Sequence, residues 1–375
     1  MRARDSSWNP RRAPIRNEGH DVVSGLLLYA EVPGFYAEVE RAARPELAGR
    51  PVIVGGDPRK RGLVQAATRD ALEAGVTPGM AVEDALARCP RARALRTDMV
   101  RYREMDKRVR ACLGRVCERL EPAGLAAAYL DVRDARAPAE QIARELRAIV
   151  ESEVRLPLRV GAAPTRALAR IACEHAAADG FLCVASDAVE RFLAPLPVTC
   201  LPGVGPNTES RLVEMGAPTV GALVALGRAV IERELGNHGL AILASALGQG
   251  DDRIRVARHP QTLSQEATLA AGEVDRVVLA ERLRGLADRL ERAPALEGLV
   301  TRRVVLKLRY ADGERATRTL SLERGVATGS ELFALAQDLL ARTHAGSRAV
   351  RLLGLAATGL ERPRRDERQL SLFDR

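Results

Sequence analysis

Leu201-Pro202-Gly203-Val204-Gly205-Pro206-Asn207-Thr208 carries the signature of a helix-hairpin-helix. Gly203 and Gly205 permit a tight turn with Val204 between them. Backbone N–H groups from there to Thr208, at the start of the next helix, can hold a DNA phosphate. A plain helical hairpin is the alternative, but Gly-x-Gly at a helix start is an anion-binding geometry. It reads no bases. A second feature lies at Thr301–Tyr310. Val304, Leu306, Leu308 and Tyr310 face one way, and Arg303, Lys307 and Arg309 the other. Period-two alternation makes a strand with a dry back and a cationic front. Asp312-Gly313 turns the chain into Arg315–Leu322, which adds Arg318 and the hydroxyls of Thr317, Thr319 and Ser321. Such a surface suits a DNA backbone and binds in a salt-dependent way. The third feature is the C-terminal Gln369-Leu370-Ser371-Leu372-Phe373. Two leucines and a phenylalanine in a charged tail have no local core, so they seek a partner's apolar groove, with Gln369 giving orientation. A tail folded back on its own domain is the alternative.

These features need a frame. The chain has 375 residues, 46% of them hydrophobic, which is enough for two to four domains with their own cores. A formal charge of +9 and a pI near 9.7 favour nucleic acid as a partner and say nothing of fold. The six cysteines include no Cys-x-x-Cys, and Cys112 and Cys117 are poorly spaced for a disulfide or zinc. All six read as reduced thiols of a cytoplasmic, nucleoid-associated protein. No stretch of 18 apolar residues exists, so no membrane is implied. Residues 1–24 read as a disordered basic arm. Its arginines have no apolar core beside them, so it is not a signal peptide.

Leu26–Ala30 is a continuous apolar run, suited to a strand buried on both faces, and it leads into Glu31. Asp98 can cap a helix reaching about Leu120, with Tyr102, Met105, Val109 and Leu113 on one face. Its arginines read as a solvated face, with DNA phosphate contact as the alternative. Gly124–Asp131 reads as one short buried strand, and Pro138–Val154 as an amphipathic helix. Thr328 and Glu331 have capping-box spacing.

Several of these segments resemble the Y-family (translesion) DNA polymerases. Phe35-Tyr36-Ala37-Glu38-Val39-Glu40 is similar to the family's Phe-Tyr/Phe-Ala-x-Val-Glu. Ala128-Tyr129-Leu130-Asp131 ends the strand that the family writes Ser-Ile-Asp-Glu-Ala-Tyr-Leu-Asp. Arg166 to Ala172 resembles Lys-x-Leu-Ala-Lys-Ile-Ala, and Leu352 to Leu355 resembles Leu-Leu-Gly-Val. Gln369 to Phe373 is similar to the motif by which bacterial proteins dock on the replicative sliding clamp. The resemblance spans roughly Leu26 to Arg375. It implies an α/β (α+β) multidomain, right-hand architecture. The palm would be 25–35 and 98–187, and the fingers 36–97. A helical thumb would occupy 188–255 with the hairpin at 201–212, followed by a linker at 256–262. The little finger would be 263–361, and the tail 362–375.

The resemblance also marks what has changed. The family's first metal-binding Asp is Glu31, and its Asp-Glu pair is Ala126 and Ala127. Two-metal phosphoryl transfer needs carboxylates converging on ions about 3.5–4 Å apart. Asp131 lies roughly 13 Å along the strand from Ala127, too far to stand in. Tyr36 falls where the family excludes ribonucleotides, and core packing is its other reading. The Tyr and Arg that bind the triphosphate are Arg69 and Leu72, and Leu72 cannot hold a phosphate. Arg166 stands where a family Lys meets the triphosphate. These departures imply an ImuB-like pseudoenzyme with no cofactor. It would bind primer-template DNA and the clamp, and support translesion synthesis in the SOS response as an adaptor. Another DNA polymerase and a RecA-like protein are then possible partners. The alternative is a weak, error-prone polymerase using Mg²⁺ at an altered site.

Overall fold

Leu27–Glu31 folds as strand β1, almost wholly buried, as its unbroken apolar run requires. The computed structural model describes residues 25–177, 180–255, 262–293, 296 and 298–363, and the chain divides into two compact units, Met1–Val256 and Ala257–Arg375. In the first unit β1 is followed by α1 (Phe35–Ala43), β2 (Val52–Gly55), β3 (Val64–Ala67), α2 (Arg69–Glu73), α3 (Val82–Arg88) and β4 (Arg93–Arg96). Then come α4 (Met99–Val116), β5 (Leu120–Gly124), β6 (Ala127–Asp131), α5 (Ala139–Val154), β7 (Arg159–Ala163), α6 (Arg166–His175) and β8 (Phe181–Cys183). Four helices complete it: α7 (Val189–Leu193), α8 (Pro206–Glu214), α9 (Val220–Leu226) and α10 (Arg228–Ala246).

Two sheets organise this unit, one of five strands in the order β5-β6-β1-β7-β8 and one of three in the order β3-β2-β4. β1 runs antiparallel to both neighbours, so Glu31 lies opposite Ala127 on β6 and Arg159 on β7. Strand alternation sends Leu28 and Ala30 into a core with Tyr102, Val109 and Leu113 of α4 and Leu146 of α5. Tyr29 and Ala127 enter another core, with Leu168, Ala169 and Ala172 of α6. The residues at the place of interest therefore lie on the α6 side of the sheet.

Asp98 caps α4 as expected, its carboxylate accepting from Arg101 N–H at 3.1 Å. The helix stops at Val116 rather than Leu120, because Leu120 opens β5 and pairs with Leu130. Gly124–Asp131 is likewise not one strand. Gly124 pairs with Ala127, leaving Leu125-Ala126 as a two-residue turn between β5 and β6. Ala126 sits at φ 52°, a left-handed conformation that costs a residue with a Cβ about 1–2 kcal/mol. Two bonds hold it there. Asp106, buried on α4, accepts the Ala126 N–H at 2.7 Å, and the Ala126 carbonyl accepts from Val32 N–H at 3.1 Å. Asp106→Ala should therefore destabilise the unit by about 2 kcal/mol, since a buried N–H loses its charged acceptor. Asp106→Asn, which keeps an acceptor, should lose less than half of that. Equal losses in urea unfolding would remove the hydrogen bond as the cause.

The second unit holds β9 (Thr262–Glu273), α11 (Arg276–Glu291), β10 (Val300–Tyr310), β11 (Arg315–Val326), α12 (Gly329–Ala341) and β12 (Val350–Glu361). Its antiparallel sheet has the order β11-β10-β12-β9. Leu279, Leu283 and Leu286 of α11 and Leu332 and Ala336 of α12 pack on Val304, Leu306 and Leu308 of β10. The capping box at Thr328 and Glu331 is formed on both sides. All six cysteines are free, and no helix among the described residues is long and apolar enough to cross a membrane.

Candidate nucleic-acid interface

The register of β1 brings Glu31, Ala127 and Arg159 side by side. Arg159 Nε donates to Glu31 Oε1 at 2.8 Å, and its Nη1 donates to the Glu174 carbonyl at 3.2 Å. The Tyr29 hydroxyl donates to the other Glu31 oxygen at 3.2 Å. Burial, and then the Glu31 carboxylate, push the Tyr29 hydroxyl far above its usual range, so it remains a donor. Both Glu31 oxygens are thus engaged by the protein itself. Ala126 and Ala127 add no side-chain ligand. Among the described residues no group of three or more His, Cys, Asp or Glu side chains could hold a metal ion.

Arg166 opens α6, with Thr165 as its cap. Its guanidinium lies 4.5 Å from the Tyr129 ring centroid and donates to Glu121 Oε1 at 2.6 Å. It also donates to the Arg253 carbonyl at 3.3 Å. Glu121 in turn accepts the Arg255 N–H at 2.5 Å, and Arg133 reaches Asp252 at 3.0 Å. The cation expected at a triphosphate thus fastens residues 251–255 to the edge of the five-stranded sheet.

Tyr36 stacks on Tyr102 with ring centroids 4.4 Å apart and planes 10° from parallel. The packing reading of Tyr36 is therefore real, yet the residue also lines a cavity of about 390 Å³ with Phe35, Gln65, Leu72, Pro78 and Leu125. No charged side chain lines that cavity. Arg69 is not among its lining residues and donates to Glu73 at 2.9 Å. The walls suit an apolar or aromatic group better than a polyphosphate.

The tight turn lies between a three-residue 3-10 turn at Val198–Cys200 and α8. Gly203 has φ 88°, and Gly205 precedes α8 without a side-chain cap. The first-turn N–H groups near Asn207 and Thr208 are therefore left for an outside acceptor. In the second unit Arg303, Lys307 and Arg309 are exposed on one face of β10. Lys307 is opposite Thr317 and Arg303 opposite Ser321, which makes a mixed cationic and hydroxyl surface. Arg318 is not part of it. It pairs with the buried Leu306, so it points to the helix-covered side and donates to the Arg342 carbonyl at 3.0 Å. Alternation along β11 was the available signal, since Thr317, Thr319 and Ser321 take the other parity. Sequence reasoning also missed Arg159, although a lone charge between Leu158 and Val160 was a cue. Gln369 to Phe373 and residues 1–24 lie outside the described residues.

Comparison with known proteins agrees with this fold. Residues 31–174 match the impB/mucB/samB family, and 260–372 match the C-terminal domain of that family. The DNA polymerase IV of Alkalilimnicola ehrlichii is 35% identical over 92% of this chain and 99% of that protein. That of Halorhodospira halophila is 33% identical over 91% and 97%. The Y-family DNA polymerase chimera Dbh-Dpo4(243-245)-Dbh superposes with a TM-score of 0.77 at 20% identity, over 90% of this chain and 99% of that one. An insertion ternary complex of Dbh DNA polymerase gives 0.70 at 20% identity, over 90% and 99%. The chain belongs to the impB/mucB/samB family of Y-family DNA polymerases, and its mixed α/β sheets are those of the family's palm, fingers and little finger.

Membership corrects one expectation. The chain was expected to take no cofactor, but its relatives are named DNA polymerase IV, a class that needs divalent metal ions such as Mg²⁺. A divalent ion is thus the implied cofactor. The residues at this place do not fit the two-ion arrangement, because Glu31 is tied to Arg159 and Tyr29, and Ala126 and Ala127 bring no carboxylate.

Proposed function

We propose that this chain is a Y-family protein that holds primer-template DNA and supports translesion synthesis by another polymerase, in the manner of the ImuB-like members. The pairing of Glu31 with Arg159, opposite an alanine, carries this reading. A guanidinium occupies the carboxylate that phosphoryl transfer would need. The uncharged cavity beside Tyr36 supports it, as does Arg166, whose charge is taken up by Glu121. The hairpin at Gly203 to Thr208 and the cations Arg303, Lys307 and Arg309 supply DNA contacts without sequence preference. The tail Gln369 to Phe373 supplies a contact with the bacterial sliding clamp. The name of its relatives favours a second reading, a weak error-prone polymerase that uses Glu31 with its ion.

Primer extension separates the two. Purified protein with Mg²⁺ or Mn²⁺ should bind a primer-template more weakly as salt rises, yet add no template-directed nucleotide. Incorporation that disappears in Glu31→Ala would establish the polymerase reading instead. In the same preparation, Phe373→Ala should abolish retention on immobilised clamp; unchanged retention would remove the tail from the proposal.

A further inference from the structure

α10 is two helical segments that meet at a kink. Within α10, Gly236 has φ 60° and ψ −150°, outside helical geometry. That region is essentially restricted to glycine. The apex of the turn and the helix after it both reach the segments flanking this break. On one side, Arg211 of α8 donates to the Glu234 carbonyl. In a continuous helix this carbonyl would accept the N–H four residues on, and the break at Gly236 lies between the two. On the other side, His238 Nε2 lies 3.1 Å from the carbonyl of Gly203. A carbonyl only accepts, so Nε2 carries the proton and donates. The ring also packs under the turn. A Cβ on Gly203 would come within 3.1 Å of His238 Cε1 and 3.6 Å of Ile242, one helical turn further on.

We infer that the break at Gly236, acting through His238 and Arg211, sets the direction of the Gly203–Thr208 turn, with His238 as the positioning residue for the phosphate that the hairpin holds. This rests on the reading of the hairpin as a DNA-backbone site. The turn has left-handed glycine at its apex and no side-chain cap at the following helix. The turn is held by Val204 N–H donating to the Leu201 carbonyl at 3.2 Å and by Val204 packing on the core, and α10 adds ties from the other side. His238 grips the turn at its apex, and Arg211 grips the helix that presents those groups. One phosphate contact is worth as much as its geometry allows, so a turn released from α10 loses affinity without unfolding.

The test uses the full chain and a labelled primer-template duplex, with affinity measured across a salt series. His238→Ala should weaken binding about five- to tenfold, the scale of one lost hydrogen bond. It should also lower the slope of log K against log salt by about 0.9, the share of one phosphate. His238→Gln keeps an N–H donor at similar reach and should restore both. Thr208→Glu places a negative charge in the hairpin mouth and should weaken binding whatever His238 does. If Thr208→Glu has no effect, the hairpin reading itself fails. If Thr208→Glu weakens binding while His238→Ala does not, or His238→Gln fails to rescue, the positioning role is overturned alone.

Discussion

Glu40→Ala is expected to destabilise the first unit by about 3 kcal/mol, the lower end of the range for breaking a buried ion pair. Glu40 is 1% exposed on α1. It accepts from the Tyr102 hydroxyl at 2.8 Å and from Arg101 at 3.0 Å, and it pairs with Arg44. Removing it strands a hydroxyl on a tyrosine with 0% exposure and leaves two guanidiniums without their shared anion. Both arginines are more than a third exposed and can turn to water, which is why the loss stays near the lower end. Tyr102 also stacks on Tyr36, so the wall of the uncharged cavity should loosen with it. Glu40→Gln keeps an acceptor for Tyr102 and should lose about half as much. Chemical unfolding of the three proteins measures this. A loss under about 1 kcal/mol for Glu40→Ala would mean that the cluster is not what joins α1 to α4.

Gly161→Ala is the second large effect, expected at about 3 kcal/mol or more, above the usual overpacking range. Gly161 lies in β7 opposite Tyr29 of β1. A Cβ there would overlap the Ala169 carbonyl and the Cys173 N–H of α6, and lie 2.8 Å from Cys173 Cα. These are backbone atoms, so no side chain can swing aside. Either α6 moves off the sheet or the strand buckles. Since α6 carries Arg166 at its start and Glu174 near its end, movement would also detach residues 251–255 and loosen Arg159. The expected signature is a fall in melting temperature of several degrees. A melting temperature within a degree of the parent would show that α6 shifts freely on the sheet.

Local chemistry was legible in the chain. The apolar run of β1, the Asp98 cap and the Thr328–Glu331 capping box depend on residues within one turn or one strand. So did the alternation of β10, whose cations are exposed as read. Two of the differences depend on what stands across the fold, and a third, Arg318, was legible in its own strand. Leu120 left its helix because Leu130 offered it a strand partner. Ala126 is a turn residue because Asp106, twenty positions earlier in the chain, holds its N–H. Arg318 was assigned to the open face when the parity of its own strand turns it inward.

The sequence by itself determined the family, the alanines at 126 and 127, and the presence of a glycine-rich turn and a basic strand. Each is a matter of residue type at a spacing, which folding does not alter. Only the tertiary structure decided what the surviving charges do. Glu31 and Arg159 are 128 positions apart and meet because β1 and β7 are neighbours. Arg166 meets Glu121 and residues 251–255 for the same reason. His238 reaches Gly203 across 35 positions because the fold lays α10 beside the turn before α8. A side chain's charge is written in the chain, but its partner is set by the sheet order and helix crossings that bring distant segments within reach of a hydrogen bond.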